Sequence, residues 1–177
     1  MERTKAGKLD PTTLRVIYYF IERLNGILGK THLQKMLFLA DLLATKKFKE
    51  KITKLDYKKY TYGPYSEVIN DYVSDLEGKG IIEGREFPLM SGDGNYFRYY
   101  TKGPASVKNK LIEDLGAEKV LLLDDIISSY GNMSLQDVLG IVYQLEIVSK
   151  AKQDTPLDIA KSLKEDEESL SDSEVSF

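Results

Sequence analysis

Few side chains in this sequence have the types and spacing that chemistry requires. His32 is the only histidine and there is no cysteine. A lone imidazole lacks the second group that completes a nucleophile–base pair or a metal set. His32 therefore reads as a polar residue in the first turn of a helix. Asp124 and Asp125 are adjacent on a helical segment. Neighbours on a helix point about 100° apart, so these carboxylates do not face each other as an acid–base dyad would. They read as a solvated face. Ser91-Gly92-Asp93-Gly94-Asn95 has the composition of a phosphate or calcium loop, but it lacks the P-loop lysine and the EF-hand acids. A hairpin tip needs the same residue types, since Gly and Asn accept positive φ. No catalytic, metal-ligating or cofactor-binding residue emerges, and the expected function is non-catalytic.

Binding chemistry is better represented. Residues 45–59 carry Lys46, Lys47, Lys49, Lys51, Lys54, Lys58 and Lys59 against Glu50 and Asp56, and they run into Tyr57, Tyr60 and Tyr62. Further on stand Arg85, Arg98 and Lys102. Cations of this kind could neutralise phosphates of nucleic acid. A solvated loop and strand face is the plainer reading of the lysines, and packing on a small sheet is the plainer reading of the tyrosines. The opposite charge appears on the helix expected from Ser66 to Lys79. Its polar face holds Glu67, Asn70, Asp71, Ser74 and Asp75. Glu67, Asp71 and Asp75 recur every four residues and form an acidic stripe. A helix meant for the major groove would bring that stripe against phosphates on both groove walls.

The elements that position these residues follow from periodicity and caps. Asp10-Pro11 marks a helix start, and Leu14, Ile17, Tyr18, Ile21 and Leu24 recur at helical spacing up to Asn25-Gly26. Thr31 with Gln34 predicts a capping box. From Leu33 to Ala44 the next helix is apolar almost all round, which predicts central burial. Gly63-Pro64 is expected to break the preceding strand. Val68, Ile69, Tyr72, Val73 and Leu76 then share a helix face, closed by Gly78 and Gly80. Two extended segments flank the glycine-rich tip and end near Tyr100-Thr101-Lys102-Gly103. This helix-plus-hairpin order over residues 66–103 predicts a winged-helix-like domain. Helices are expected over roughly 104–115 and 118–130, from the Ser134 cap onward, and from Thr155-Pro156, with Asp158 at the third helical position. The fold class is α+β, mainly α, with a small antiparallel sheet or wing.

Residues 1–163 are expected to form one domain, and 164–177 an acidic tail. The net charge of −3 comes from that tail, which holds six acids and one base; without it the body stands at +2. Its acids and serines predict disorder. No apolar run approaches the roughly 18 residues that suggest a membrane span, and Met1 to Lys5 do not begin a signal peptide. The lack of cysteine excludes disulfides and agrees with a cytoplasmic location.

Two segments carry a resemblance. Leu33-Gln34-Lys35-Met36-Leu37-Phe38-Leu39-Ala40-Asp41 resembles the "LQKLLYLAD"-type helix of the SocA/Panacea antitoxin-associated family. Tyr62-Gly63-Pro64-Tyr65-Ser66, followed by Ile69, resembles that family's "YGP" turn. The resemblance covers roughly residues 12–130. It implies a mainly helical, winged-helix-like fold and an antitoxin-type role, in which the domain binds a toxin protein encoded nearby. It implies no cofactor. The matching positions are Gln34, Lys35, Asp41, Tyr62, Gly63 and Pro64; the lysine-rich 45–59 link and the acidic tail depart from the pattern.

The leading expectation is thus a protein-binding domain that occludes a partner. The candidate contacts are Glu67, Asn70, Asp71, Asp75, Gln34, Lys35, Tyr62 and Tyr65. The alternative is a winged-helix DNA-binding regulator that uses Lys46, Lys47, Lys49, Lys54, Lys58, Lys59, Arg85, Arg98 and Lys102. A homodimer is compatible with either.

Overall fold

The computed structural model describes residues 7–103 and 106–174. The first five residues, the start of the helix expected from 104 and the last three of the acidic tail lie at least in part outside this range. Helix α1 (Pro11–Leu24) begins as its cap predicts: the Asp10 carboxylate accepts from the Thr13 backbone N–H at 2.9 Å, and Asn25 closes the helix in the left-handed region at φ 37°. A short strand β1 (Ile27–Leu28) leads into α2 (Gly29–Phe48). Leu33, Met36, Leu37, Phe38 and Ala40 are all buried, so α2 is the central helix. It packs against α1 and against four later helices: α3 (Ile69–Gly78), α5 (Ala117–Tyr130), α6 (Leu135–Gln144) and α8 (Ile159–Glu174).

Two small antiparallel sheets lie around α2. Strands β4 (Ile82–Pro88) and β5 (Asn95–Thr101) form the expected hairpin, in register from Ile82 with Thr101 to Pro88 with Asn95. Its turn holds Gly92 and Gly94 at φ 78° and 120°. Strand β1 adds to the free edge of β5, giving the order β1-β5-β4. The helix before it, α3, starts at Ile69 rather than Ser66 and buries Ile69, Tyr72, Val73 and Leu76, while Val68, expected on the same face, caps the helix and is exposed. It ends in a Schellman-type closure, with Gly80 at φ 69° and the Ile81 N–H on the Leu76 carbonyl at 3.0 Å.

The second sheet differs from expectation. Gly63-Pro64 does not break a strand. Residues Tyr57–Tyr60 (β2) and Gly63–Tyr65 (β3) form a hairpin over Thr61-Tyr62, with Lys59 opposite Pro64. Pro64 is tolerated because β3 is an edge strand in the order β3-β2-β6. The third strand, β6 (Pro156–Leu157), replaces the helix start expected at Thr155-Pro156. That helix, α8, begins at Ile159, and the Asp158 carboxylate accepts from the Lys161 N–H at 3.0 Å, outside the helix rather than at its third position. The remaining helices are α4 (Lys108–Leu115) and α7 (Glu146–Ser149); Ser134 caps α6 through the Asp137 N–H at 3.1 Å. The boundary at 163 falls inside α8, which continues to Glu174, so the acidic segment is helical over most of its length.

Candidate partner-binding site

The two motif segments meet in space. On α2, the Gln34 side-chain amide donates to the Ser66 carbonyl at 3.0 Å and accepts from the Ser66 N–H at 2.8 Å. Both bonds are ones a strand neighbour would make, so Gln34 extends the edge left by β3. It does not close a capping box with Thr31, because its amide is spent on Ser66. One residue on, the Lys35 ammonium donates to the Pro64 carbonyl at 2.7 Å. Gly63 takes φ 89° after the Thr61-Tyr62 turn, a conformation that disfavours a side chain. Tyr143 from α6 donates to the Thr61 carbonyl at 2.9 Å and steadies the hairpin tip.

Between α2 and this hairpin lies a pocket of about 140 Å³ lined by Lys30, Thr31, Gln34, Lys35, Tyr60, Tyr62, Gly63 and Tyr65. The α2 contributors stand at helical spacing on one face. The Tyr60 and Tyr65 rings lie 5.3 Å apart, and Tyr62 is 62% exposed. Lys35, by contrast, is only 2% exposed, and burial lowers its pKa to about 8. Gln34 and Lys35 therefore do not project into solvent as surface contacts; they are reached through the pocket. Tyr62 and Tyr60 are the exposed tyrosines of the pocket, and Tyr65 is half-buried.

Helix α3 continues from this edge. The Asn70 amide donates to the Tyr65 hydroxyl at 3.1 Å, which ties the helix to the pocket wall. Glu67, in the turn before α3, and Asp71 are exposed. Asp75 is half-buried and pairs with Lys79 at 2.8 Å. The open part of the acidic stripe is thus Glu67 and Asp71, of which Glu67 lines a groove with Tyr65.

The cations do not form an equally free surface. Lys49 pairs with Glu167 of α8 at 2.6 Å, and Lys54 with Asp10 at 3.5 Å. The Lys59 ammonium donates to the Ala151 carbonyl at 2.8 Å, and Lys58 lies over the Tyr60 ring. On the hairpin, Arg85 binds Glu83 at 2.7 Å, and Arg98 donates to the Gly26 carbonyl at 3.2 Å. Lys46, Lys47 and Lys102 are exposed.

Two further expectations change, at Asp124 and His32, and the motif residue Asp41 gains a structural role. Asp124 is not simply solvated: it accepts from the Tyr19 hydroxyl and pairs with Lys108 at 3.2 Å, leaving Asp125 as the exposed member. His32 lies in the first turn of α2 as expected, but it is buried, and burial and the Arg98 charge lower its pKa. Asp41 is fully buried and accepts from the Ile52 N–H at 2.9 Å, the Thr53 N–H at 2.8 Å, the Thr53 hydroxyl at 2.5 Å and the Tyr57 hydroxyl at 2.8 Å. That position serves the fold. The pocket residues absent from the candidate contacts are Lys30, Thr31, Tyr60 and Gly63, the last of which the sequence marks only as a motif position. The i, i+4 spacing of Lys30 with Gln34 and of Thr31 with Lys35 was the available signal.

A family model described as "Antitoxin SocA-like, Panacea domain" matches residues 33–147, more than half of the chain and inclusive of both motif segments. No curated protein matches.

Proposed function

The chain belongs to the antitoxin SocA-like, Panacea-domain family, and from that premise we propose that it is a non-catalytic domain that binds a partner protein, a toxin, and neutralises it by covering its surface. The observation that carries this reading is that exposed Glu67 shares a groove with the half-buried Tyr65, that Tyr65 and the exposed Tyr62 line one pocket, and that exposed Asp71 follows Asn70, whose amide holds the Tyr65 hydroxyl. Aromatic anchors beside charges of one sign fit a basic protein surface. The same acids disfavour a DNA groove, and most of the lysines and arginines proposed for DNA are engaged within the chain.

We also infer a winged-helix-like unit over residues 11–101. The elements α1, β1, α2, α3, β4 and β5 in chain order, with the β2–β3 hairpin inserted between α2 and α3, and the sheet order β1-β5-β4 support it. In this use the hairpin and α3 present a protein-binding face.

Co-expression with the neighbouring gene product tests the reading. Wild-type protein should co-purify with it, and Glu67→Lys with Asp71→Lys should weaken the complex by about tenfold or more, as charge reversal at a complementary rim does. Unchanged affinity would remove the role of the acidic face. A mobility shift at low salt that is lost steeply as salt rises would favour DNA instead.

A further inference from the structure

The pocket beneath the hairpin tip has a property that the proposed function does not require. A lysine ammonium has three donors, and among the described residues the Pro64 carbonyl is the acceptor found for Lys35. No carboxylate pairs with it, and burial is the one cause of its lowered pKa. A buried cation without a counter-charge is costly unless something supplies one. The pocket lining contains Lys30 as a second cation and no acid. It also includes the first turn of α2, where backbone N–H groups carry partial positive charge.

Size narrows the ligand. About 140 Å³ is below the roughly 300 Å³ at which drug-sized sites begin. Gly63 contributes backbone alone, and an added Cβ would stand 3.7 Å from Lys35 Cε. Tyr62, mostly exposed, forms the rim.

We propose that this pocket is a binding site for one carboxylate, the acidic side chain of a protein partner, taken between the Lys35 ammonium and the rings of Tyr62 and Tyr65. The inference rests on the protein-binding reading above and deepens it. An otherwise basic partner is held by an acidic anchor that enters beside α3, and the carboxylate supplies the charge that Lys35 lacks.

The test uses the full chain with ¹³Cε-labelled lysine, titrated with N-acetyl-L-glutamate α-N-methylamide, whose side chain is its one carboxylate, its neutral analogue N-acetyl-L-glutamine α-N-methylamide and inorganic phosphate. The glutamate compound should shift the Lys35 Cε signal and the Gly63 amide saturably, and the glutamine compound should not. Tyr62→Ala, at an exposed position, should weaken the binding about tenfold, and Lys35→Gln should abolish the Gly63 response. Equal shifts from the neutral analogue, a preference for phosphate, or no saturable shift would overturn the proposal. Co-purification of the neighbouring gene product with Lys35 Cε unmoved would also overturn it, while leaving the proposed function intact. Saturable glutamate binding with no such co-purification would sustain the pocket and count against the proposed function.

Discussion

Helix α2 buries two charged side chains six residues apart, and they are treated in opposite ways. Asp41 is enclosed by four donors, two backbone N–H groups and the hydroxyls of Thr53 and Tyr57. Lys35 has the Pro64 carbonyl and a pocket. Desolvation acts against the charge at both, raising the Asp41 pKa and lowering that of Lys35, but at Asp41 the hydrogen bonds oppose it. A buried charge with its bonding capacity filled is part of the scaffold; it fixes the 52–57 segment against α2. A buried charge left partly unfilled beside a cleft is available to a ligand. Both belong to the same motif helix, so the motif combines a structural residue and the residue proposed to bind.

Breaking the satisfied end should have the largest effect. Asp41→Ala strands buried donors on Ile52, Thr53 and Tyr57, and it should cost about 3–5 kcal/mol, read as a fall in the denaturant midpoint. A loss below about 1 kcal/mol would mean that these donors find other acceptors and that the contrast with Lys35 is false.

The under-satisfied end should respond weakly and in a pH-dependent way. Lys35→Met exchanges one hydrogen bond for relief of desolvation, so stability at pH 7 should change by no more than about 1 kcal/mol. The pH profile sharpens the point. Lys35 titrates at about 8 in the folded chain against 10.5 ordinarily. Below pH 8 both states hold the proton. Between about 8 and 10.5 the unfolded chain holds it and the folded chain does not, so the Lys35 contribution to stability rises with pH across that window. The wild-type stability curve minus that of Lys35→Met should show this rise. A flat difference would place the ammonium in contact with water.

The smallest effect is expected at the rim. Tyr62→Ala should leave stability within about 0.5 kcal/mol, because its ring is mostly solvated. Thermal unfolding checks this; a large loss would make Tyr62 a packing residue and weaken its assignment to the binding face.

How far these features could be read from the sequence depended on the range of the interaction. The Asp10 and Ser134 caps, the buried face of α3 from Ile69 onward and the β4–β5 hairpin rest on neighbours within a few residues, and the structure places them as expected, Val68 excepted. Gln34 was misread for the same reason in reverse. Thr31 sits three residues before it and suggested a cap, while its actual partner, Ser66, lies across the fold. Pro64 read as a strand breaker because proline lacks an N–H; only the sheet order makes β3 an edge where that lack is harmless. The lysines of residues 45–59 read as free charge because Glu167, Asp10 and Ala151 are distant in the chain.

The sequence by itself determined the mainly helical class, the central burial of α2, the helix-plus-hairpin order and, through two short motifs, the family. Those follow from periodicity, local turn chemistry and residue identity, which survive without knowledge of who packs against whom. Tertiary structure alone decided that Asp41 is filled and Lys35 is not, that Asp75 is neutralised while Glu67 and Asp71 stay open, and that Tyr60, Tyr62 and Tyr65 wall one pocket. The solvation of a charge depends on groups brought from elsewhere in the chain, and no local pattern encodes them.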